Sequence, residues 1–228
     1  MKIYTVLCTR DKKFPKITHD LLKYFLSCKI DVTIIPGATS IFLAYSSFVK
    51  SLKNEPNNSA IIFCHDDIAI QDDPKDFTKK ITETLEEDNT GFIGVAGTTF
   101  LSENAVWWDW NIHQMGKHRG KVRHITENGK PYVTHYGEPG NVAVLDGLFL
   151  AANLGTLRKI NLHRPDNFSG LWDFYDIYYT SQTNEQGFDN KVIDVDITHM
   201  SRGELVGRDS WYANQKAFIE MNKFPITC

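Results

Sequence analysis

A chain of 228 residues with 42% hydrophobic and 23% charged residues has the apolar material for one α/β domain with a sizeable core, which excludes a disordered tail. Its formal charge of −3 excludes a general nucleic-acid binder. No apolar run approaches the length that spans a bilayer, and the strand-like Met1-Lys2-Ile3-Tyr4-Thr5-Val6-Leu7 opens the sequence with no signal peptide before it.

Ile3 to Cys8 reads as the first strand, and Thr9 to Lys13 as the loop after it. Ile17, Leu21, Leu22, Tyr24 and Phe25 have helical spacing, which predicts a helix over Ile17 to Leu26. Ile30 to Ile35 is the second strand, stopped by Pro36-Gly37. Thr39 or Ser40 can cap a helix running to about Leu52. After a loop at Glu55 to Ser59, the wholly apolar Ala60 to Phe63 suits the centre of a parallel sheet. Asp76 to Glu87 is an exposed helix and Phe92 to Ala96 another strand. This alternation predicts an α/β fold with a mostly parallel central sheet, whose ligands sit beyond the carboxyl ends of the strands.

Periodicity fades between about Thr98 and Asn141, a stretch that carries Trp107-Trp108-Asp109-Trp110 and the basic run Lys117 to Arg123. The basic run reads as a solvated loop or as a flap over phosphates. Three Trp in four residues of extended chain cannot share one core, so they form either a sugar-stacking platform or a lid or packing patch. Val142 to Ala152 returns to a strand pattern, Tyr175 to Gln186 to a helix ended by Gly187, Val192 to Ile197 to a strand, and Ser210 to Glu220 to a helix. Cys8, Cys28, Cys64 and Cys228 form no CxxC pair and read as free thiols of a reducing, cytoplasmic compartment.

Chemistry concentrates at strand ends. Ile61 to Phe63 runs into Cys64-His65-Asp66-Asp67, and consecutive carboxylates call for positive charge beside them. A hard divalent cation, Mn²⁺ or Mg²⁺, meets that need; loop acids capping the next helix are the alternative. Val195-Asp196-Ile197 ends in Thr198-His199, with Arg202 close behind. In Trp172-Asp173-Phe174-Tyr175-Asp176 either acid can be an N-cap or a general base.

The order of these elements resembles the GT-A glycosyltransferases, particularly small bacterial and viral family 2-like members. His65-Asp66-Asp67 stands in the place of the family's DxD. Leu145-Asp146-Gly147-Leu148 looks like the strand lining the acceptor side. Tyr175-Asp176, followed by a helix and Gly187-Phe188, is similar to the family's Glu-Asp element, and Ile197-Thr198-His199 to its closing strand. The resemblance spans about residues 3 to 203 and implies a single domain over residues 1–228, with a nucleotide-binding half to about residue 97 and an acceptor-binding, catalytic half after it.

It further implies metal-dependent transfer of a sugar from a nucleotide diphosphate, with UDP the family's usual carrier, to the hydroxyl of a saccharide or glycoconjugate, with inversion. Asp176 would be the general base, with Asp173 in reserve. Asp67 and His199 would hold the metal. Thr9, Arg10, Ser40, His65, Asp66 and Arg202 would border the nucleotide-sugar, and Trp107, Trp108, Asp146, Gly147 and Trp172 the acceptor. His65 and Tyr175 replace acids of the family pattern, which leaves a catalytically decayed binding module open. A sugar nucleotidyltransferase is the enzymatic alternative, but no Gly-rich basic phosphate loop follows the first strand. A phosphohydrolase would need a second metal, for which the acids are not grouped. Homo-oligomerisation stays open.

Overall fold

The computed structural model describes residues 1–126, 128–200 and 209–228. The first half alternates strand and helix: β1 (Ile3–Cys8), α1 (Lys16–Ser27), β2 (Asp31–Ile35), α2 (Ile41–Ser51), β3 (Ala60–Cys64), β4 (Ile68–Ile70), α3 (Pro74–Glu86) and β5 (Thr90–Gly94). Local chemistry sets these boundaries. α1 buries Thr18, Leu21 and Phe25, a stripe at helical spacing. Ser40 caps α2 by accepting from the Leu43 amide at 3.4 Å. Asp73 caps α3 with Pro74 at its first position, where a missing N–H costs nothing. All residues of β1 and β3 are buried, as two-sided strands must be.

The second half contributes β6 (Ala96–Thr98), β7 (Phe100–Leu101), α4 (Trp110–Gln114), β8 (His118–Ile125), β9 (Pro131–Gly137), β10 (Gly140–Val142), β11 (Val144–Leu145) and β12 (Phe149–Asn153). After these come α5 (Leu154–Leu157), α6 (Tyr175–Glu185), β13 (Asp189–Val192), β14 (Ile197–His199), α7 (Asp209–Met221) and β15 (Ile226–Thr227).

Among the described residues, one large sheet runs β10-β13-β5-β12-β3-β1-β2 and a second runs β11-β6-β8-β14-β4, with β9 on β8. β7 and β15 form a small ribbon. The large sheet is mixed: β12 is inserted antiparallel between β3 and β5, whereas β1, β2 and β3 are parallel, as are β5 and β13. The carboxyl ends of β3 and β5 therefore share one edge. From that edge β3 turns into β4, β5 passes through Val95 into β6, and β13 leads on to β14. The second sheet is thus built from the continuations of the first, across the edge where a ligand is expected.

Three expected elements differ. The run Val142 to Ala152 is cut into β10, β11 and β12, because Asp146 turns the chain by accepting from the Leu148 amide at 2.8 Å. The strand expected over Val192 to Ile197 is interrupted: Val192 ends β13, Ile197 opens β14, and residues 193–196 connect them. Lys117 to Arg123 is not a loop but the start and body of β8. His118, Gly120 and Val122 point inward, and Lys121 and Arg123 pair outward with Asp194 (2.7 Å) and Asp196 (2.8 Å). A strand whose inward positions hold His and Gly lacks the apolar alternation that would reveal it.

Asn190 on β13 joins the layers. Its amide donates to the carbonyls of Ala143 (3.0 Å) and Thr180 (2.7 Å), and its oxygen accepts from the Phe92 amide (2.9 Å) and the Thr183 hydroxyl (2.8 Å). Every polar valence of this fully buried side chain is satisfied. No described helix is long and apolar enough to cross a membrane.

Candidate active site

The turn after β3 places His65, Asp66 and Asp67 at the carboxyl edge. β14 lies antiparallel to β4 with His199 opposite Ile68, and the Met200 amide donates to the Asp67 carbonyl at 3.0 Å. That register carries His199 Nε2 to 3.4 Å from Asp67 Oδ1. His65 Nδ1 lies 3.5 Å from His199 Nε2 and 3.9 Å from Asp67 Oδ1. One donor atom from each of the three falls within 4.8 Å of the others. Burial, and then the neighbouring His199, hold the His65 pKa below its ordinary value, which favours the neutral imidazole that can ligate a metal. Two imidazoles and one carboxylate, all convergent, fit a divalent cation. His65, expected beside the nucleotide-sugar, joins this set instead. Cys64 is the last buried residue of β3, its thiol pushed up by burial.

Asp66 is not one of these donors. Its carbonyl accepts from the Thr18 hydroxyl at 2.8 Å, and its carboxylate acts on the thiols of Cys8 and Cys64 at the ends of β1 and β3. Thr9 is buried there, its hydroxyl accepting from the Asp11 amide at 3.3 Å. Arg10 is exposed and lays its guanidinium 4.8 Å from the centre of the Trp172 ring, a cation–π contact linking the loop after β1 to the cleft. The Ser40 hydroxyl is occupied: besides capping α2 it donates to the Leu171 carbonyl at 3.2 Å. Arg202 lies outside the described residues.

Beside the His65–Asp67–His199 group opens a cleft of about 720 Å³. Asp176 sits in its wall at the start of α6, where Phe174 takes a left-handed turn (φ 69°). A bulky residue there costs on the order of 1–3 kcal/mol. Ring packing on Trp211 and Phe218, with centroids at 5.3 Å each, holds the turn. Asp176 accepts from the Gly147 amide at 2.8 Å, and the Tyr175 hydroxyl donates to the Gly147 carbonyl at 2.8 Å. Desolvation, then the charge of Asp146, raises the Asp176 pKa from about 3.8 to about 7. Asp146 is itself fixed, accepting from Trp107 Nε1 at 3.1 Å.

Gly147 is clamped on both sides, and a Cβ there would overlap the Tyr175 hydroxyl and lie 3.0 Å from the Asp176 Cβ. Its place in the site is steric. Gly147→Ala should displace the start of α6, lowering stability by roughly 1–3 kcal/mol and turnover at least about tenfold; calorimetry and steady-state rates read the two.

Asp173, the reserve base, also reaches the cleft but accepts from the Ser210 hydroxyl at 2.6 Å, and its carbonyl accepts from the Asn214 amide at 2.9 Å. It therefore ties α7 to the segment before α6. Trp107 is only 3% exposed and forms wall rather than platform, whereas Trp108 is 38% exposed and Trp172 half-buried. The sequence reading missed His113, His118, His124, Tyr136 and Trp211, which line the cleft along with Trp110 of the tryptophan cluster. All five tryptophans of the chain meet there.

A sequence model described as "Glycosyltransferase like family" matches residues 10–223. No curated protein matches the chain. Among solved structures, GalNAc-T7 with UDP, GalNAc and Mn²⁺ is similar at a TM-score of 0.54 and 10% identity, over 88% of this chain and 44% of that one. This chain thus corresponds to less than half of that protein, and at this identity the likeness shows a shared fold. A197 from STIV aligns at a TM-score of 0.49 and 10% identity, over 85% of this chain and 82% of that one.

Proposed function

The chain belongs to the glycosyltransferase-like family, and on that premise we propose that it transfers a sugar from a nucleotide diphosphate to an acceptor hydroxyl, with Asp176 as general base. The observation that carries this reading is a carboxylate raised to about 7 in the wall of a ligand-sized cleft that opens beside a convergent His–Asp–His group. A base with a pKa near the working pH is ionised enough to take a proton and basic enough to hold it.

His65, Asp67 and His199 would hold a divalent cation. The mixed nitrogen and oxygen donors favour Mn²⁺ over Mg²⁺, which prefers oxygen alone. Such a cation supplies positive charge against a departing diphosphate. Arg10, Thr9 and Asp66 surround the donor side: Arg10 is an exposed cation within reach of phosphate, and Asp66 is an acceptor for ribose hydroxyls. On the other side Asp176 receives the acceptor's proton as that hydroxyl attacks the anomeric carbon. The Gly147 amide orients the carboxylate and Asp146 keeps its proton affinity high. Trp108 and Trp172 offer faces to the acceptor. A single base opposite the leaving group gives inversion. UDP as the carrier rests on the family's habit and on the GalNAc-T7 complex, which contains it. Four free cysteines, two of them buried, suit a reducing cytoplasmic setting.

The test is thermal stability with UDP, other nucleoside diphosphates and nucleotide-sugars, each with and without Mn²⁺. At a hundredfold excess over Kd, binding adds about 2.7 kcal/mol, a rise of roughly 5–10 °C in Tm for a chain of this size. The rise should need both ligand and metal. Absence of a shift with every nucleotide would overturn the reading, and a shift without turnover on any acceptor or water would reassign the chain as a binding module. Release of pyrophosphate instead of nucleoside diphosphate would make it a nucleotidyltransferase.

A further inference from the structure

The wall of the cleft has a composition that selects among acceptors. We infer, resting on the transferase reading above, that the acceptor is an uncharged oligosaccharide, held between aromatic faces and imidazole rings on the side of the cleft formed by α4, β8 and α7.

Of the eight histidines in the chain, six line the cleft, together with the five tryptophans and three aspartates, Asp146, Asp173 and Asp176; no described lysine or arginine lines it. On the side formed by α4, β8 and α7, away from the cation group and Arg10, an anionic acceptor would meet no described lysine or arginine, while three carboxylates line the cleft as a whole, an arrangement that disfavours charge of that sign. Uncharged polyols have the opposite needs: apolar C–H faces to cover and hydroxyls that both donate and accept. The geometry supplies both.

Trp110 is 66% exposed and stacks on His113 with ring centres 5.1 Å apart, while Trp108 leans on Trp211 at 5.6 Å. These pairs make two broad aromatic surfaces in one cleft. His118, buried behind this wall, has Nδ1 3.3 Å from His113 Nδ1 and packs its ring on Trp107 and Tyr136. Burial, followed by the neighbouring His113, lowers the His118 pKa to about 4, so the ring stays uncharged and can both donate and accept. The cavity of about 720 Å³ lies within the range of roughly 300–1,000 Å³ that takes sizeable ligands. The distribution of rings along α4, β8 and α7 extends it beyond the surroundings of Asp176, which calls for more than one sugar unit.

The experiment screens the full chain on a printed array of uncharged and acidic glycans. Tryptophan-fluorescence titration of the positive glycans follows, for wild type and for Trp110→Ala, whose exposed ring can be removed without emptying the core. Uncharged oligosaccharides should bind and change the emission, with sulfated, sialylated and uronate-bearing glycans absent among the positives. Trp110→Ala should weaken binding about fivefold or more. Binding confined to acidic glycans, binding to none, or equal affinity in the variant would overturn the inference. Thermal stabilisation by UDP with Mn²⁺ is measured on the same samples. If it persists while glycans fail, only the acceptor class falls; if both fail, the transferase reading falls with it.

Discussion

Asp176→Asn should cut sugar transfer by about 10²–10⁴-fold, the usual contribution of a positioned base, and above neutral pH it should raise the melting temperature. The two effects share a cause. Folding holds this carboxyl in a desolvated wall beside Asp146, so the folded chain keeps its proton up to about pH 7 while the unfolded chain releases it near 3.8. Folding therefore takes up a proton between those values, and stability falls as pH rises through that window. Above pH 7 the cost is complete. Each tenfold gain in proton affinity corresponds to about 1.4 kcal/mol; allowing for solvent at the cleft, relief on the order of 2–4 kcal/mol is expected. An asparagine can still accept from the Gly147 amide without carrying charge. The gain in Tm should be absent near pH 4, grow towards pH 7 and level off. In the wild type, kcat/KM should rise about tenfold per pH unit below 7 and then plateau, because only the ionised form accepts a proton. A variant that loses activity but shows the same stability difference at pH 4 and pH 8 would refute the assignment of the raised carboxyl.

Asp67→Ala should abolish the Mn²⁺-dependent stabilisation by nucleotide and reduce transfer by roughly 10²–10³-fold, corresponding to the several kcal/mol a divalent cation contributes. Asp67 is the only carboxylate in the His65–Asp67–His199 set, so its loss leaves two imidazoles and removes the charge that a hard cation prefers. The backbone contact from Met200 to the Asp67 carbonyl does not depend on the side chain and should keep β14 in register. Asp66→Ala is the informative partner. It should weaken donor binding while leaving the Mn²⁺ dependence intact, because Asp66 is not one of the three convergent donors. Calorimetric titration of Mn²⁺ into each variant in the presence of UDP distinguishes them, and a normal Mn²⁺ response in Asp67→Ala would sink the proposed cation site.

Much of this was legible in the residues. The first five alternating elements of β1 to β3 follow from apolar runs, a Ser40 cap and the Pro36-Gly37 break, all of which are local signals. Asp67, His199 and Asp176 could be placed at the sheet edge because each follows a strand or opens a helix. Three things were hidden. The antiparallel insertion of β12 depends on pairing with Cys64 and Gly94, far away in sequence. His65 meets His199, 134 residues on, only when β14 pairs with β4, so its place in the three-residue group is not visible in sequence. The wall formed by His113, His118 and Trp211 comes from three elements of which one, β8, alternates basic residues with His and Gly and so carries no apolar period. Trp107 illustrates the limit from the other side: its motif was conspicuous, but the buried ring serves by donating to Asp146.

The placement of β12 also governs the order in which the chain can be assembled on a ribosome. β3 and β5 are made first, yet neither touches the other in the finished sheet; each waits for a strand that ends at Asn153. Until then β3, paired with β1 on one side only, exposes its other backbone edge and β5 exposes both, a state prone to mispairing that β13 later completes for β5. The first 97 residues released alone should therefore fail to become protease-resistant, and a pause in translation before residue 153 should increase aggregation more than a pause after it.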